Sequence, residues 1–272
     1  MKLTKKLIAL AMTAAMAAAM AGCGGGTDTA DVETLLNTAN ETMANVDSMS
    51  AQMDMVMDME VEGETFSMTT TSNIESIMDP MKMKMDMSLR MADEVMQEYT
   101  MYAVAEGDTV TSYMNLDGTW YTQPMTVGDL SQYNAQQNME LYLQNLSSFS
   151  ATGTEEINGT ATTVIEGVLT GDSMREAMLS SGLQTATATM GVTEEDLDTM
   201  LEGISDMPVK LWISEDGYVM QYELDMTAMM QSMMSAMAEG VSMNISNVSV
   251  KMTCDNYNAV EDFEIPAEAL AA

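Results

Sequence analysis

Histidine does not occur anywhere in these 272 residues. Its absence removes the side chain most used for proton transfer near neutral pH, and with it His-containing triads and the commonest metal ligand. Cysteine occurs twice, as Cys23 and Cys254, so acylation of the first leaves no partner for a disulfide within the chain. Basic residues are scarce: nine in total, of which Lys2, Lys5 and Lys6 crowd the N-terminus. From Cys23 onward, six Lys and Arg stand against 42 Asp and Glu, a net charge of −36. A field of that sign repels phosphate backbones, so nucleic-acid binding is excluded. Proline is limited to four residues and phenylalanine to three, and no Pro/Ser-rich linker divides the chain.

One long apolar run exists, Leu7 to Met20, preceded by the three lysines and followed by Ala21, Gly22 and Cys23. It falls short of the ~20 residues a comfortable membrane span needs. Positive start, apolar middle and small residues before a cysteine form a lipoprotein signal. Cleavage before Cys23 leaves a diacylglyceryl cysteine carrying fatty acid such as palmitate, and two acyl chains hold a protein on a membrane stably. The expected division is a signal peptide at 1–22, a lipidated leash at 23–30 containing Gly24, Gly25 and Gly26, and a single domain at 31–272. The expected location is the extracytoplasmic face of the cell membrane, with the chain a monomer.

What the chain has in excess is methionine, 36 residues, within a 46% hydrophobic composition. Acidity alone favours disorder. The alternating apolar pattern and the few prolines predict a fold, with methionine replacing leucine and phenylalanine as apolar filler. Val32, Leu35, Leu36, Ala39, Met43 and Val46 recur at helical spacing, so Asp31 to Asp47 reads as an amphipathic helix. The period then becomes two: Met53, Met55, Met57, Met59 and Val61 alternate with Gln52, Asp54, Val56, Asp58 and Glu60. Glu62-Gly63 is a turn; Phe66 to Ile74 is a strand of weaker contrast, ended by Asp79-Pro80. Met81 to Met91 is the cleanest strand, with lysines and other polar residues between its methionines.

Strands at 96–105, 109–116 and 119–123 follow, joined by Gly107-Asp108 and Asp117-Gly118, which makes six in an antiparallel meander. Thr126 to Ser147 reads as a helix with Thr126 and Asp129 at its start. Phe149 to Glu156 and Thr160 to Thr170 flank Asn158-Gly159, a strong hairpin signal. Short helices are expected at Ser173 to Ser180 and Thr193 to Gly203. Val209 to Ser214 and Tyr218 to Thr227 form a hairpin about Asp216-Gly217. Ala228 to Glu239 is a methionine-striped helix with Gly240 after it, and Val248, Val250, Met252 and Cys254 mark a last strand.

This order of elements, with Gly118-Thr119-Trp120-Tyr121, Val209-Lys210-Leu211-Trp212-Ile213 before Asp216-Gly217-Tyr218, and the closing Phe263-Glu264-Ile265-Pro266, resembles the LolA/LolB-like lipoprotein-carrier superfamily. The likeness spans nearly the whole mature chain on short motifs. It implies an α+β fold: a strongly curved antiparallel half-barrel of about eleven strands, helices on the concave face, and an apolar cavity between. Relatives carry acyl chains, other lipids or glycolipids. The chain's own acylatable cysteine and its methionine load depart from the soluble carriers, and favour a tethered receiver, extractor or sensor.

No catalytic residue is expected. Clustered carboxylates such as Glu194, Glu195, Asp196 and Asp198 read as a solvated helix start, and a site needs a base, nucleophile or metal in defined geometry. No cofactor is expected either. The Met-x-Met runs suit Cu(I) as soft ligands, but their period is first that of a half-buried strand. An oxidant sink is a further alternative, although oxidising core-facing methionines disrupts a sheet. The expected function is binding of a lipid or other hydrophobic ligand in a cavity lined by Met53, Met55, Met57, Met59, Met83, Met85, Met87, Leu89, Met220, Tyr222 and Leu224. The competing expectation is a filled core and a purely structural module. Cys254, on an apolar face, reads as an inert core thiol.

Overall fold

A computed structural model describes residues 29–92, 94–106, 109–125, 143, 146–172, 205–237 and 243–272. Cys23, the signal segment, the leash as far as position 28, the expected helices at 173–180 and 193–203, and all of 126–147 except positions 143, 146 and 147 lie outside them, whereas Thr29 and Ala30, expected in the leash, already belong to the first helix.

Helix α1 (Thr29–Met43) buries Val32, Leu36, Ala39 and Met43, the stripe its apolar spacing sets. It ends four residues earlier than Asp47: Asn45 and Val46 close a turn by donating to the Thr42 and Met43 carbonyls, and Val46 still reaches the core. Six strands then run as a meander: β1 (Ser48–Val61), β2 (Glu64–Met78), β3 (Met81–Met91), β4 (Glu94–Glu106), β5 (Thr109–Leu116) and β6 (Thr119–Met125). Next come β7 (Leu146–Ile157), β8 (Thr160–Leu169), β9 (Met207–Ser214), β10 (Val219–Asp225), helix α2 (Thr227–Met237), β11 (Met243–Asp255) and the short α3 (Ala267–Leu270).

All eleven strands join one antiparallel sheet in the order β6-β5-β4-β3-β2-β1-β11-β10-β9-β8-β7. The first and last strands of the chain's described sheet order meet at its middle, where β1 pairs β11, and β6 and β7 are left as open edges. This is the half-barrel expected from the resemblance.

Three of the turns form through left-handed residue pairs. Glu62-Gly63, Asp117-Gly118 and Asn158-Gly159 have φ of 54° and 88°, 50° and 81°, and 51° and 81°. Two consecutive positive φ angles match the right-handed twist of the flanking strands and set tight hairpins.

Leu146 and Ser147, expected as the end of a helix, belong instead to a strand. Leu146 and Ser147 open β7, pairing Leu169 and Val168, and the Ser147 hydroxyl donates to the Val168 carbonyl at 2.9 Å. A ladder partner outweighs local helical spacing at these two positions. The expected strand from Tyr218 starts one residue later: Tyr218 closes the turn, its carbonyl accepting from Ser214 N–H at 2.9 Å and its N–H donating to the Ser214 hydroxyl, while its ring stacks on Tyr257 with centroids 4.7 Å apart. Helix α2 starts at Thr227, whose N–H donates to the Asp225 carboxylate and whose hydroxyl accepts from Val248 N–H.

After β11 the chain turns along the start of β1, where Asn258 N–H donates to the Ser48 carbonyl. It then crosses the outer face of the meander. Lys82 pairs with Asp262 at 2.6 Å, Phe263 lies 6.2 Å from the Tyr102 ring, and the Thr122 hydroxyl donates to the Ala272 carbonyl.

Candidate functional site

Directly opposed residues of paired strands share a side of a sheet. One row can therefore be followed from β5 to the edge strand β7: Leu116, Tyr99, Met87, Ser72, Met53, Met252, Tyr222, Leu211, Ile165 and Ala151. This inner face shares its apolar cluster with the buried stripe of α1. The adjacent row on the other side reads Asp86, Asn73, Gln52, Thr253, Gln221, Trp212 and Val164. Alternation along each strand thus separates an apolar interior from a largely polar outer surface.

The inner face is not uniformly buried. Where β1 begins it is sealed: Met49, Ala51, Ile74, Met83, Met85, Met101, Ala103 and Val110 are all buried. Toward the β1–β2 and β3–β4 turns it loosens. Met53, Met55 and Met87 are half-buried and pack on the core, while Met57, Met59, Met68 and Leu89 are half-buried outside that cluster. Met91, last in the β3 row, is exposed.

The residues expected from alternation therefore fall into three groups. Met83, Met85, Tyr222 and Leu224 lie in the fully buried core, where the Tyr222 hydroxyl donates to Met252 Sδ at 3.2 Å. Met53, Met55, Met57, Met59, Met87 and Leu89 form the half-buried row. Met220 stands apart from both. The β9–β10 register skips it, Val219 opposing Ile213 and Gln221 opposing Trp212, so it is a bulge residue, buried but outside the apolar cluster.

A hydroxyl strip on β2 escaped the reading of residue types. Thr70, Ser72 and Ser76 are all buried on the inner face between the methionine rows of β1 and β3. The signal was present in the register: a tight Asp79-Pro80 turn pairs Met78 with Met81, which sets Ser72 against Met87. The buried Ser76 hydroxyl donates to the Met49 carbonyl at 3.3 Å, and Ser112 donates to the Gln123 carbonyl at 3.3 Å. Ser72 Oγ has no partner, although the residue is 0% exposed. Asn40 Oδ1, one helical turn from Leu36, is the other buried side-chain oxygen among the described residues without a partner. Each such atom costs on the order of 1–3 kcal/mol.

The positive charges lie elsewhere. Lys82, Lys84, Arg90, Lys210 and Lys251 are the described basic residues, and the register puts all five on the outer face. Lys84 sits 3.5 Å from Glu75 and 3.8 Å from Asp86. Partial burial pushes its pKa down, but the two carboxylates push harder and leave it raised. Lys210 reaches Glu166 at 3.4 Å and lies 5.0 Å over the Trp212 ring, whose N–H donates to Glu155 at 2.9 Å. Asp58 is held below the usual carboxylate range by the Ser67 hydroxyl and then the Asn247 amide.

The outer surface carries clefts. One of about 820 Å³ is lined by Val56, Val168, Pro208, Lys210, Glu223 and Lys251 among others, and one of about 680 Å³ surrounds Asp86, Arg90 and Glu98. Among the described residues no three His, Cys, Asp or Glu side chains are grouped to hold a metal ion, and no helix is long and apolar enough to cross a membrane. Cys254 is fully buried, and burial pushes its thiol up to about 12 against the opposing hydrogen bond with Tyr257.

Solved structures resemble this chain to differing degrees. Lipoprotein LppX of Mycobacterium tuberculosis superposes with a TM-score of 0.50 at 15% identity, over 88% of this chain and 100% of that one. LprF of Mycobacterium bovis gives 0.47 at 11% identity, over 90% and 100%. An outer membrane lipoprotein-sorting protein domain of Vibrio parahaemolyticus gives 0.24 at 9% identity, over 81% and 89%. At the level of fold, the half-barrel that the resemblance implies is borne out. No curated protein matches the sequence. From Asp31 to its C-terminus, residues 31–272, the sequence matches the family of unknown function DUF6612, and the chain belongs to that family.

Proposed function

We propose that this protein is an envelope lipoprotein, anchored through an acylated Cys23, whose inner sheet face binds a lipid or other hydrophobic ligand without converting it. Residues 1–22 are its signal, 23–28 its leash and the chain from Thr29, where the first helix begins, one ligand-binding domain, which works as a monomer outside the membrane. The observation that carries the reading is the graded burial of one apolar face. Thioethers are sealed at Met83 and Met85 but remain half-buried at Met53, Met55, Met57, Met59 and Met87, with Leu89 beside them.

A sheet face built for stability alone covers such a row, because apolar area left in water forfeits about 25 cal/mol per Å². A row kept partly accessible holds that free energy in reserve for a ligand, each of whose buried methylenes contributes roughly 0.8 kcal/mol. Methionine suits the task, since its unbranched, polarisable side chain repacks around different shapes. The half-barrel fold, shared with a lipoprotein at a TM-score of 0.50, fits the same role.

The test has two parts. Radiolabelled palmitate is expected in the wild-type chain and not in Cys23→Ala. Native mass spectrometry of the acylated chain, released from detergent micelles, is expected to show further lipid mass that organic extraction removes. A chain carrying only its covalent acyl groups, with no uptake of added acylglycerol or phospholipid, would leave a tethered module with a filled core and end the ligand reading.

A further inference from the structure

Ser72 is the point on the inner face where stability and sequence disagree. Its row neighbours are Met53 and Met87, its neighbour along the strand's inner side toward the sealed end is Ile74, and it is 0% exposed. Alanine would fill the position without a hydroxyl to satisfy. The buried inner-face hydroxyls of Ser76, on the same strand, and of Ser112, on β5, spend themselves on backbone carbonyls, at 3.3 Å in both cases. Ser72 Oγ meets neither donor nor acceptor. A native buried polar atom without a partner calls for an explanation outside the free protein's own packing.

We propose that Ser72 is the polar anchor of the inner face, its hydroxyl donating to an uncharged carbonyl of the bound ligand, as in the ester of an acylglycerol. The inference rests on the hydrophobic-ligand reading above and adds the chemical class. Two flexible thioethers, Met53 and Met87, flank the hydroxyl, and both are half-buried, so their rotation exposes it to an entering chain.

The charge pattern selects the head group. All five described basic side chains lie on the outer face, so among the described residues no cation meets an anionic head on the inner one. A carboxylate moved there loses water without gaining a counter-ion, within a chain that carries −36 after Cys23. A fatty acid enters only by taking up a proton first. An ester carbonyl enters as it is and supplies the acceptor that Ser72 lacks.

The experiment uses the full acylated chain in phosphatidylcholine vesicles, with three diazirine probes of one chain length: a monoacylglycerol, a fatty acid and a plain hydrocarbon. At neutral pH the monoacylglycerol is expected to crosslink best, with adducts on Met53 or Met87. Ser72→Ala is expected to lower its yield about fivefold, one neutral hydrogen bond's worth, and to leave the hydrocarbon yield unchanged. The same variant is expected to melt at an unchanged or higher temperature, since it removes an unsatisfied group. A lower melting temperature, an equal loss for ester and hydrocarbon, no loss for the ester, or preference for the fatty acid overturns the proposal while leaving a hydrophobic site. Failure of all three probes removes the site itself.

Discussion

A thiol held away from water keeps its proton, and Cys254 is such a thiol. Its folded pKa of about 12 stands above the ordinary 9.0. The native chain therefore holds this proton longer than the unfolded chain does. The corresponding stability is full below pH 9 and is lost as pH climbs through about 12, by up to about 4 kcal/mol across that span. Tyr257, whose pKa burial also raises, adds to the same alkaline loss. Cys254→Ala is expected to flatten, without abolishing, the fall of stability between pH 9 and 12 in urea titrations. The native thiol is expected to ignore Ellman's reagent at pH 8 and to react fully in denaturant. Methionine placement yields a second contrast. Met85→Gln buries an amide in the apolar cluster and is expected to cost roughly 2–4 kcal/mol. Met57→Gln, at a half-buried position, is expected to cost under about 1 kcal/mol while weakening uptake of a hydrophobic probe.

Turns make the case at the scale of elements. Glu62-Gly63, Asp117-Gly118 and Asn158-Gly159 were legible in the sequence because left-handed φ at two positions admits few residue types. Asp216-Gly217 was legible as a turn too, but not for what it touches. Gly217 has φ 85°, and a Cβ there would lie 2.7 Å from Thr42 Oγ1 and 2.8 Å from the Thr38 carbonyl oxygen. The Thr42 hydroxyl donates to the Asp216 carbonyl at 2.9 Å, so this turn clasps the end of α1. Gly217→Ala meets both helix and strain, and is expected to cost about 1–3 kcal/mol, read as a lowered urea midpoint. Gly159→Ala, with nothing within 4 Å, is expected to cost less, since only the φ of 81° opposes it.

For the whole molecule, 42 carboxylates after Cys23 against six basic residues set the balance of forces. Self-repulsion opposes the compact state, and salt screens it within about 10 Å at 0.1 M. Thermal midpoints are expected to rise by a few degrees between 10 mM and 0.5 M NaCl, where a protein held by surface ion pairs would lose stability instead. The C-terminal strap responds to pH in its own way. A hydrogen bond from Lys82 holds Asp262 below its usual range. The strap's ion pair is thus intact above the ordinary carboxylate pKa and is lost as pH falls through the lowered one. Asp262→Asn is expected to speed proteolysis of the C-terminal segment at pH 7 and to behave as wild type near pH 2.

Strand alternation, hairpin pairs and the stripe of α1 were readable because each is a local rule: a period of two, a left-handed dipeptide, a period of 3.6. The methionine rows at 53–59 and 83–89 were located in advance for that reason. Which of those methionines would be sealed and which left half-buried depended on distance along the inner face from the closed end, a property of the folded sheet. Met220 leaves the pattern because a bulge adds a residue to β10, and Leu146 and Ser147 join a strand because Leu169 and Val168 stand opposite. Ser72 acquires meaning only from its cross-strand partners. Local chemistry specified the faces of this protein; register and closure, which couple residues far apart in the chain, decided where its apolar face is sealed and where it is half-buried.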